Sequence, residues 1–219
     1  MEYNHCEKGG VFIMAMVTGL EEKRGRYEIW LDGTLWLRIP ARHFDKMPLT
    51  DGESIDPETY MDRIAALQSA ECYEAGLTIL DSAAQTRSGM VRALQRRGYV
   101  RPAAEAAAER LAEIGLIDDQ RYAERIAQSH LKKPVGAYAV RQKLRAKQIS
   151  EEDIDSAMEC FDDAQQQAAC LASAEKLYRK YAQLPRRESR AKLSQALARR
   201  GFSWDCIGSA VDHVLNCED

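Results

Sequence analysis

Positively charged side chains are the residues of this sequence whose type and spacing suggest a chemistry. Seventeen of the 31 Lys and Arg residues lie in three runs, at 87–101, 132–147 and 186–200, and the first two runs contain no acid. Guanidinium and ammonium groups bind phosphates and carboxylates, and neutralising a nucleic-acid backbone releases its counterions. Three runs in equivalent places therefore favour a binding surface for a phosphate backbone or an acidic protein groove over a merely solvated face.

These seventeen cations are the candidate binding residues. They are Arg87, Arg92, Arg96, Arg97, Arg101, Lys132, Lys133, Arg141, Lys143, Arg145, Lys147, Arg186, Arg187, Arg190, Lys192, Arg199 and Arg200. Acidic residues concentrate just after two of the runs, with seven acids and no base at 150–163 and four acids and no base at 203–219. We therefore expect a basic surface and a separate acidic surface within a chain whose net charge is only −3.

Catalytic and metal-binding motifs are missing from the sequence. There is no phosphate-binding loop, no dinucleotide fingerprint and no HExxH zinc motif, and the four histidines are isolated. Asp118 and Asp119 could hold Mg²⁺ or share a proton, but an Asp cap at a helix start after Gly115 explains the pair better. We expect no catalytic residue, no metal and no cofactor, and therefore not an enzyme.

Composition points to a mainly helical protein. The 219 residues are 45% hydrophobic and only 7% aromatic, with 13 glycines and 6 prolines, a mixture that disfavours β-sandwiches and barrels. Six cysteines are scattered without CxxC spacing, which is unlike a secreted disulfide framework. Neither a signal peptide nor an apolar segment of about 20 residues is evident, so we expect a cytoplasmic protein with no membrane contact.

The elements that carry the cations belong to an internal repeat. Segments starting at Met90, Val140 and Leu193 align with spacings of 50 and then 53 residues. In each copy the apolar positions fall at i and i+4 and, after a break, at i, i+3, i+4 and i+7, which is the pattern of two amphipathic helices. A further helix is expected before each pair, at about 70–84, 119–132 and 164–183. One copy cannot bury all of its apolar helix surface alone, so we expect neighbouring copies to stack and bury it together.

The break between the paired helices has a local cause. Gly98 and Gly201 stand where a helix C-terminus favours a left-handed residue, and Gln148 takes this place in the middle copy at some conformational cost. Ser150 and Ser203 then cap the next helix. The following apolar residues, Tyr99, Ile149 and Phe202, are expected in the core rather than as stacking platforms. Trp204 is either a partner contact or a packed helix terminus.

The first part of the chain reads as β-structure. Apolar runs on either side of Asp32-Gly33 predict a hairpin within a small antiparallel sheet over about residues 10–40, with Trp30 and Trp36 packing across the turn or facing the next domain. Asp56-Pro57 marks the start of the helical part. The predicted fold is mainly α: three tandem three-helix repeats in an elongated curved array, with an N-terminal sheet. Its expected segments are 1–56, 57–116, 117–162 and 163–219.

Several of these strings resemble the RecX regulatory proteins. The resemblance covers about residues 70–215 and rests on TRSGMVRALQRRGY, on GLIDDQRYA at the second repeat, and on LSQALARRGFSWDCIGSAV. Gln148 departs from the glycine usual in that family. The N-terminal hairpin is similar to an extension that some members carry.

The resemblance implies a non-catalytic regulator in recombination, DNA repair and the SOS response. Such a protein binds the RecA–single-stranded DNA filament, contacts the DNA within it, and modulates ATP hydrolysis and strand exchange, inhibition being the expected direction. We expect a monomer, because an array of repeats with its own internal stacking can work as one. Two alternatives stay open. One is a sequence-independent DNA-binding helical module that acts without RecA. The other is a structural adaptor whose basic face only keeps it in solution.

Overall fold

The computed structural model describes residues 14–131 and 133–216. Within these ranges the chain forms four strands and ten helices. The strands are β1 (Ala15–Lys23), β2 (Arg26–Leu31), β3 (Thr34–Pro40) and β4 (Ser54–Ile55). The helices are α1 (Ala41–Phe44), α2 (Pro57–Ser82), α3 (Arg87–Arg97), α4 (Arg101–Glu113), α5 (Asp119–Leu131), α6 (Ala137–Arg145), α7 (Glu151–Met158), α8 (Asp163–Tyr178), α9 (Arg186–Arg199) and α10 (Trp204–Asn216).

The described chain divides into two compact units. Unit 1 comprises residues 14–83 and Met90–Leu116, and so contains the sheet, α1, α2, α4 and all but the first turn of α3. Unit 2 comprises Ala84–Gly89 and residues 117–216, and contains α5 to α10. Each unit has buried apolar residues of its own.

The N-terminal sheet is antiparallel, with the strand order β3-β2-β1-β4. Both of its hairpins turn on two residues with positive φ, Arg24-Gly25 and Asp32-Gly33, as type I′ turns require. The predicted hairpin at Asp32-Gly33 is therefore confirmed, and the described part of the predicted sheet extends from Ala15 to Pro40. Residues 10–13 of that prediction lie outside the described residues. Strand β4 was not predicted, because its two residues are too few to show a strand pattern.

Helix α2 begins where the sequence predicted a helix start. Asp56 is its N-cap, with a side-chain oxygen that accepts the Glu58 amide at 3.2 Å, and Pro57 follows in the first turn. The helix continues unbroken to Ser82, so the expectation of a separate helix from about residue 70 was wrong in its start. The ring of Trp36 lies 5.8 Å from that of Tyr60, so this tryptophan faces the helical part.

Repeat 1 is formed by α2, α3 and α4 around fully buried apolar side chains. Met90 and Leu94 of α3 and Leu111 of α4 have no exposed surface. Gly76 of α2 makes room for Leu111, because a Cβ at that glycine would lie 2.7 Å from the leucine Cδ1. The close approach of α2 and α4 therefore depends on a position without a side chain.

Repeats 2 and 3 have separate apolar cores within unit 2. The first is shared by α5, α6, α7 and the turn that follows α6, and includes Ala123, Val140, Leu144, Ile149 and Ile154. The second is shared by α8, α9, α10 and the turn that follows α9, and includes Cys170, Leu193, Leu197, Phe202 and Ile207. The predicted apolar stripes and the core placement of Tyr99, Ile149 and Phe202 are confirmed. The predicted class of three-helix repeats with an N-terminal sheet is confirmed with them.

Adjoining repeats within unit 2 meet through backbone groups. The amide of Gly136, just before α6, donates to the carbonyl oxygen of Arg200 at 2.9 Å, and the Tyr138 amide donates to that of Gly201 at 3.2 Å. A Cβ added at Gly136 would lie 2.0 Å from the Gly201 oxygen. Repeats 2 and 3 are thus in contact at a place where no side chain fits.

Candidate binding surface

The apolar stripe of each second helix directs its charged residues outward. In each of α3, α6 and α9, two apolar residues four positions apart are completely buried, as Val140 and Leu144 are in α6. Most of the cations lie on the remaining circumference and are exposed, while Arg92, Arg141, Lys147 and Arg200 are half-buried. Among the seventeen candidates, Lys132 lies outside the described residues.

One cation occupies an equivalent place in all three repeats. Arg97, Lys147 and Arg200 each precede the left-handed residue that ends the second helix, where φ is 98° at Gly98, 58° at Gln148 and 81° at Gly201. The predicted left-handed turn is confirmed in every copy.

The same pair of hydrogen bonds closes each of these turns. The amide of the left-handed residue donates to the carbonyl three residues back, at 2.8–2.9 Å, and the next amide donates five residues back, at 3.3–3.5 Å. This is the Schellman arrangement. It fixes the backbone that carries the three equivalent cations.

Part of the predicted basic surface is neutralised within its own repeat. Arg141 pairs with Asp155 across α6 and α7, and Arg190 pairs with Asp212 across α9 and α10. The separate acidic surface expected from the sequence therefore needs correction, because acids of the third helices reach cations of the second.

The Arg145–Glu151 pair shows the most regular geometry. Two guanidinium nitrogens donate to the two carboxylate oxygens at 2.7 and 2.8 Å. The hydrogen bonds raise the pKa of Arg145 and lower the pKa of Glu151. In unit 1, Arg101 pairs with Glu105 one turn along α4 at 2.7 Å. Such exposed pairs contribute little to stability, but they reduce the charge available to a partner.

The other candidates differ in whether they interact with the described part of the chain. Within the described ranges, six side chains form no hydrogen bond or ion pair: Arg96, Lys133, Lys147, Arg187, Lys192 and Arg200. Arg97 donates to the Ala75 carbonyl at 3.3 Å and Arg199 to the Gln195 carbonyl at 3.3 Å. Lys143 Nζ lies 3.5 Å from His130 Nε2, Arg186 donates to Asn216, and Arg87 and Arg92 also interact with other residues.

None of the three turn cations has a carboxylate partner among the described residues, a property that they share with Arg96, Lys133, Arg187 and Lys192. Lys147 and Arg200 have no partner among the described residues, and Arg97 binds only a backbone carbonyl. The structure thus distinguishes cations that pair with a carboxylate of their own repeat from cations that have no carboxylate partner among the described residues.

The candidate acid pair is structural. Asp118 caps α5 by accepting the Arg121 amide at 2.8 Å, and Asp119 accepts the Arg87 amide at 2.8 Å. Over residues 14–131 and 133–216, no group of three or more His, Cys, Asp or Glu side chains is arranged to hold a metal ion. None of the helices in those ranges is both long enough and apolar enough to cross a membrane.

A polar cluster that was not predicted from the sequence joins the N-terminal segment to repeat 1. Buried His43 places Nε2 2.8 Å from Glu71 and Nδ1 3.0 Å from the Gln68 amide. Glu71 also pairs with Arg42 and accepts the Tyr99 hydroxyl at 3.1 Å. Hydrogen bonding from the Arg42 guanidinium, supported by His43 and Tyr99, lowers the pKa of Glu71 to about 2. Only the amphipathic spacing of Gln68 and Glu71 with Ile64 hinted at this contact.

Fold and charge together define a class: a protein of tandem three-helix repeats with a basic second helix and a short N-terminal sheet. Two family models match it, with residues 118–158 matching "RecX, second three-helix domain" and residues 163–211 matching "RecX, third three-helix domain". The expected resemblance is confirmed by these matches.

Curated relatives agree with the family models. "Regulatory protein RecX" of Limosilactobacillus reuteri (strain DSM 20016) is 31% identical over 92% of this chain and 78% of its own length. The protein of the same name from Chlorobium phaeobacteroides (strain BS1) is 31% identical over 69% of this chain and 99% of its own. A solved "Crystal structure of regulatory protein RecX" has a TM-score of 0.62 and 28% identity over 90% of this chain and 99% of that one. The chain belongs to the RecX family of regulatory proteins.

Proposed function

We propose that this protein is a non-catalytic regulator that binds the RecA–single-stranded DNA filament and inhibits its ATP hydrolysis and strand exchange. The observation that carries the proposal is the set of equivalent cations, Arg97, Lys147 and Arg200, none of which has a carboxylate partner among the described residues. A nucleoprotein filament offers phosphates and acidic protein side chains, the two chemistries that such cations bind.

The proposal includes the setting in which the protein acts. It is a cytoplasmic monomer in this view, because the filament is a cytoplasmic assembly and each repeat already buries its apolar stripe. The segments 57–116, 117–162 and 163–219 act as three repeats behind an N-terminal extension, 1–56, and each repeat supplies one turn cation.

The experiment compares two triple variants with the same change in net charge. One replaces the three turn cations by alanine (R97A, K147A, R200A), and the other replaces three cations that pair within a repeat (R141A, R145A, R190A). We measure the protein concentration that halves RecA-driven ATP hydrolysis on single-stranded DNA, after confirming by circular dichroism that both variants are folded.

The turn variant is expected to need roughly tenfold more protein, because it loses contacts to the filament. The paired variant should change inhibition much less. Equal losses in both variants would mean that total charge governs the effect, and unchanged inhibition by the turn variant would remove these residues from the mechanism.

A further inference from the structure

Two large aromatic side chains of unit 2 are unusually exposed. Tyr138 at the start of α6 is 60% exposed, and Trp204 at the start of α10 is 71% exposed. Tryptophan is highly buried on average in folded proteins, so an exposed one marks a contact surface more often than an exposed leucine does. Trp204 is therefore not the packed helix terminus that the sequence left as one alternative.

The two residues lie at the same junction. The Tyr138 amide donates to the carbonyl of Gly201 at 3.2 Å, and Trp204 follows Gly201 by three residues. Ser203 caps the helix that Trp204 begins, by accepting the Cys206 amide at 3.2 Å. Both backbones are therefore fixed near the left-handed turn of repeat 3, although their side chains remain open to solvent.

The equivalent place in repeat 2 shows that the fold does not require an aromatic residue here. Trp204 aligns with Glu151, which forms a bidentate ion pair with Arg145. Arg145 in turn aligns with Ala198 of repeat 3, which has no charge to offer. In repeat 2 the residue at this position forms a salt bridge, whereas in repeat 3 it is a tryptophan that is 71% exposed.

Charge around the junction favours one kind of occupant. Arg200, whose carbonyl accepts the Gly136 amide, has a half-buried side chain that forms no ion pair with any described residue. Tyr138 lies on the same side of α6 as Arg141 and Arg145, three and seven residues further on. The acids near these residues are Asp205, one residue after Trp204, and Asp155 and Glu151, which pair with Arg141 and Arg145. The segments that meet at this turn thus carry two exposed aromatic rings and a guanidinium without an ion pair to any described residue. Rings of this kind stack on unpaired bases, and a guanidinium binds phosphate.

We propose that Tyr138, Arg200 and Trp204 form a stacking site for single-stranded nucleic acid at the junction of repeats 2 and 3. Bases stack on the two rings, and the Arg200 guanidinium binds a phosphate oxygen. A duplex does not fit this site because its bases are already stacked on one another. The inference rests on the proposed function only in that the filament brings single-stranded DNA to this surface.

The test uses the full chain without RecA and a fluorescently labelled 20-nucleotide oligothymidylate. Fluorescence anisotropy gives Kd over a series of salt concentrations for the wild type and for the Y138A, W204A, W204F and R200A variants. The matched control is L116A, because Leu116 is another exposed apolar residue, in unit 1.

Loss of stacking should weaken binding about five- to tenfold in W204A and Y138A, while W204F retains most of the affinity. The slope of log Kd against log salt should stay the same in these aromatic variants. In R200A the slope should fall by about 0.7, the value for one phosphate contact to a single strand. L116A should bind like the wild type.

Two results overturn the inference. One is a wild-type protein that does not bind the oligothymidylate even at low salt. The other is unchanged oligothymidylate binding in W204A and Y138A together with weaker inhibition of RecA, which would assign the aromatic residues to a protein partner and leave the proposed function standing. Conversely, oligothymidylate binding that needs Trp204 in a protein without effect on RecA keeps the stacking site and removes the proposed function.

Discussion

At the scale of single residues, Glu71 carries more contacts than any other acid of unit 1 described above. Its carboxylate binds Arg42, His43 and Tyr99, which come from α1 and from the turn between α3 and α4. The side chain is still 44% exposed, so water screens these interactions and limits their contribution. This residue therefore links the N-terminal segment to repeat 1 with a modest free energy.

Replacing Glu71 by glutamine should lower the free energy of unfolding by about 1 kcal/mol at pH 7, because a neutral amide cannot pair with Arg42. The carboxyl protonates at its ordinary pKa near 4.3 in the unfolded chain, but only at about 2 in the folded chain. Its stabilising effect is therefore complete above about pH 5 and is lost as the pH falls towards 2.

Urea denaturation of the wild type and E71Q at several pH values checks this prediction. The difference between the two proteins should shrink between pH 5 and pH 2. E105Q is the control, because Glu105 pairs, among the described residues, only with exposed Arg101 on its own helix. This replacement should lower the free energy of unfolding by only a few tenths of a kcal/mol. A difference that stays constant with pH would show that the charge of Glu71 is not what stabilises the fold.

Some features of the candidate binding surface could be predicted from the sequence and others could not. Positive φ at Gly98, Gln148 and Gly201 could be predicted, because helix termination depends on a few neighbouring residues. The pairing of Arg141 with Asp155 and of Arg190 with Asp212 could not, since the partners lie 14 and 22 residues apart on different helices. Their contact depends on the angle between the helices, which local patterns do not encode.

At the scale of elements, the amphipathic stripes predicted the second and third helices well. The start of the first helix of repeat 1 was harder to predict. Helix α2 is 26 residues long and buries Gln68 and Gly76 beside its apolar residues. A polar or very small residue at a buried position weakens the periodic signal from which a helix is predicted. The hairpins were predictable from their Gly-containing turns, whereas β4 was too short to leave a pattern.

The junction between repeats 2 and 3 makes a prediction about glycine. Gly201 and Gly115 both have positive φ, at 81° and 74°, but only Gly201 is crowded. A Cβ at Gly201 would lie 2.4 Å from both N and Cβ of Ala139, whereas a Cβ at Gly115 would meet nothing within 4 Å. G115A should therefore cost about 1 kcal/mol from backbone strain alone.

G201A should cost roughly 3 kcal/mol, because the clash is added to the same strain. Thermal or urea unfolding of the two variants gives the comparison, with Gly115 serving as the control for conformation without crowding. Equal losses in G115A and G201A would show that the contact between the repeats relaxes around a methyl group at no cost.

At the scale of the whole molecule, the division into two compact units predicts uneven stability. Leu193 is fully buried in the core formed by α8, α9 and α10. L193A should lose about 3 kcal/mol through lost burial and a cavity. If the units unfold separately, this loss should stay within unit 2.

Hydrogen exchange read by mass spectrometry distinguishes the units. In L193A, peptides from α8 to α10 should exchange faster, while peptides from the sheet and α2 should keep their wild-type rates. I64A is the reciprocal control, because Ile64 is fully buried in α2 of unit 1. Equal acceleration along the whole chain would mean that the two units unfold as one cooperative body.

The contact between Gly136 and Gly201 has a consequence for how such a chain can diverge. Main-chain atoms set the spacing of repeats 2 and 3, since there is no space for a side chain between them. Substitutions on the outer faces can then accumulate without altering the pitch between these two repeats. In this chain, recognition by outward-facing side chains and the spacing of the two repeats therefore depend on different positions.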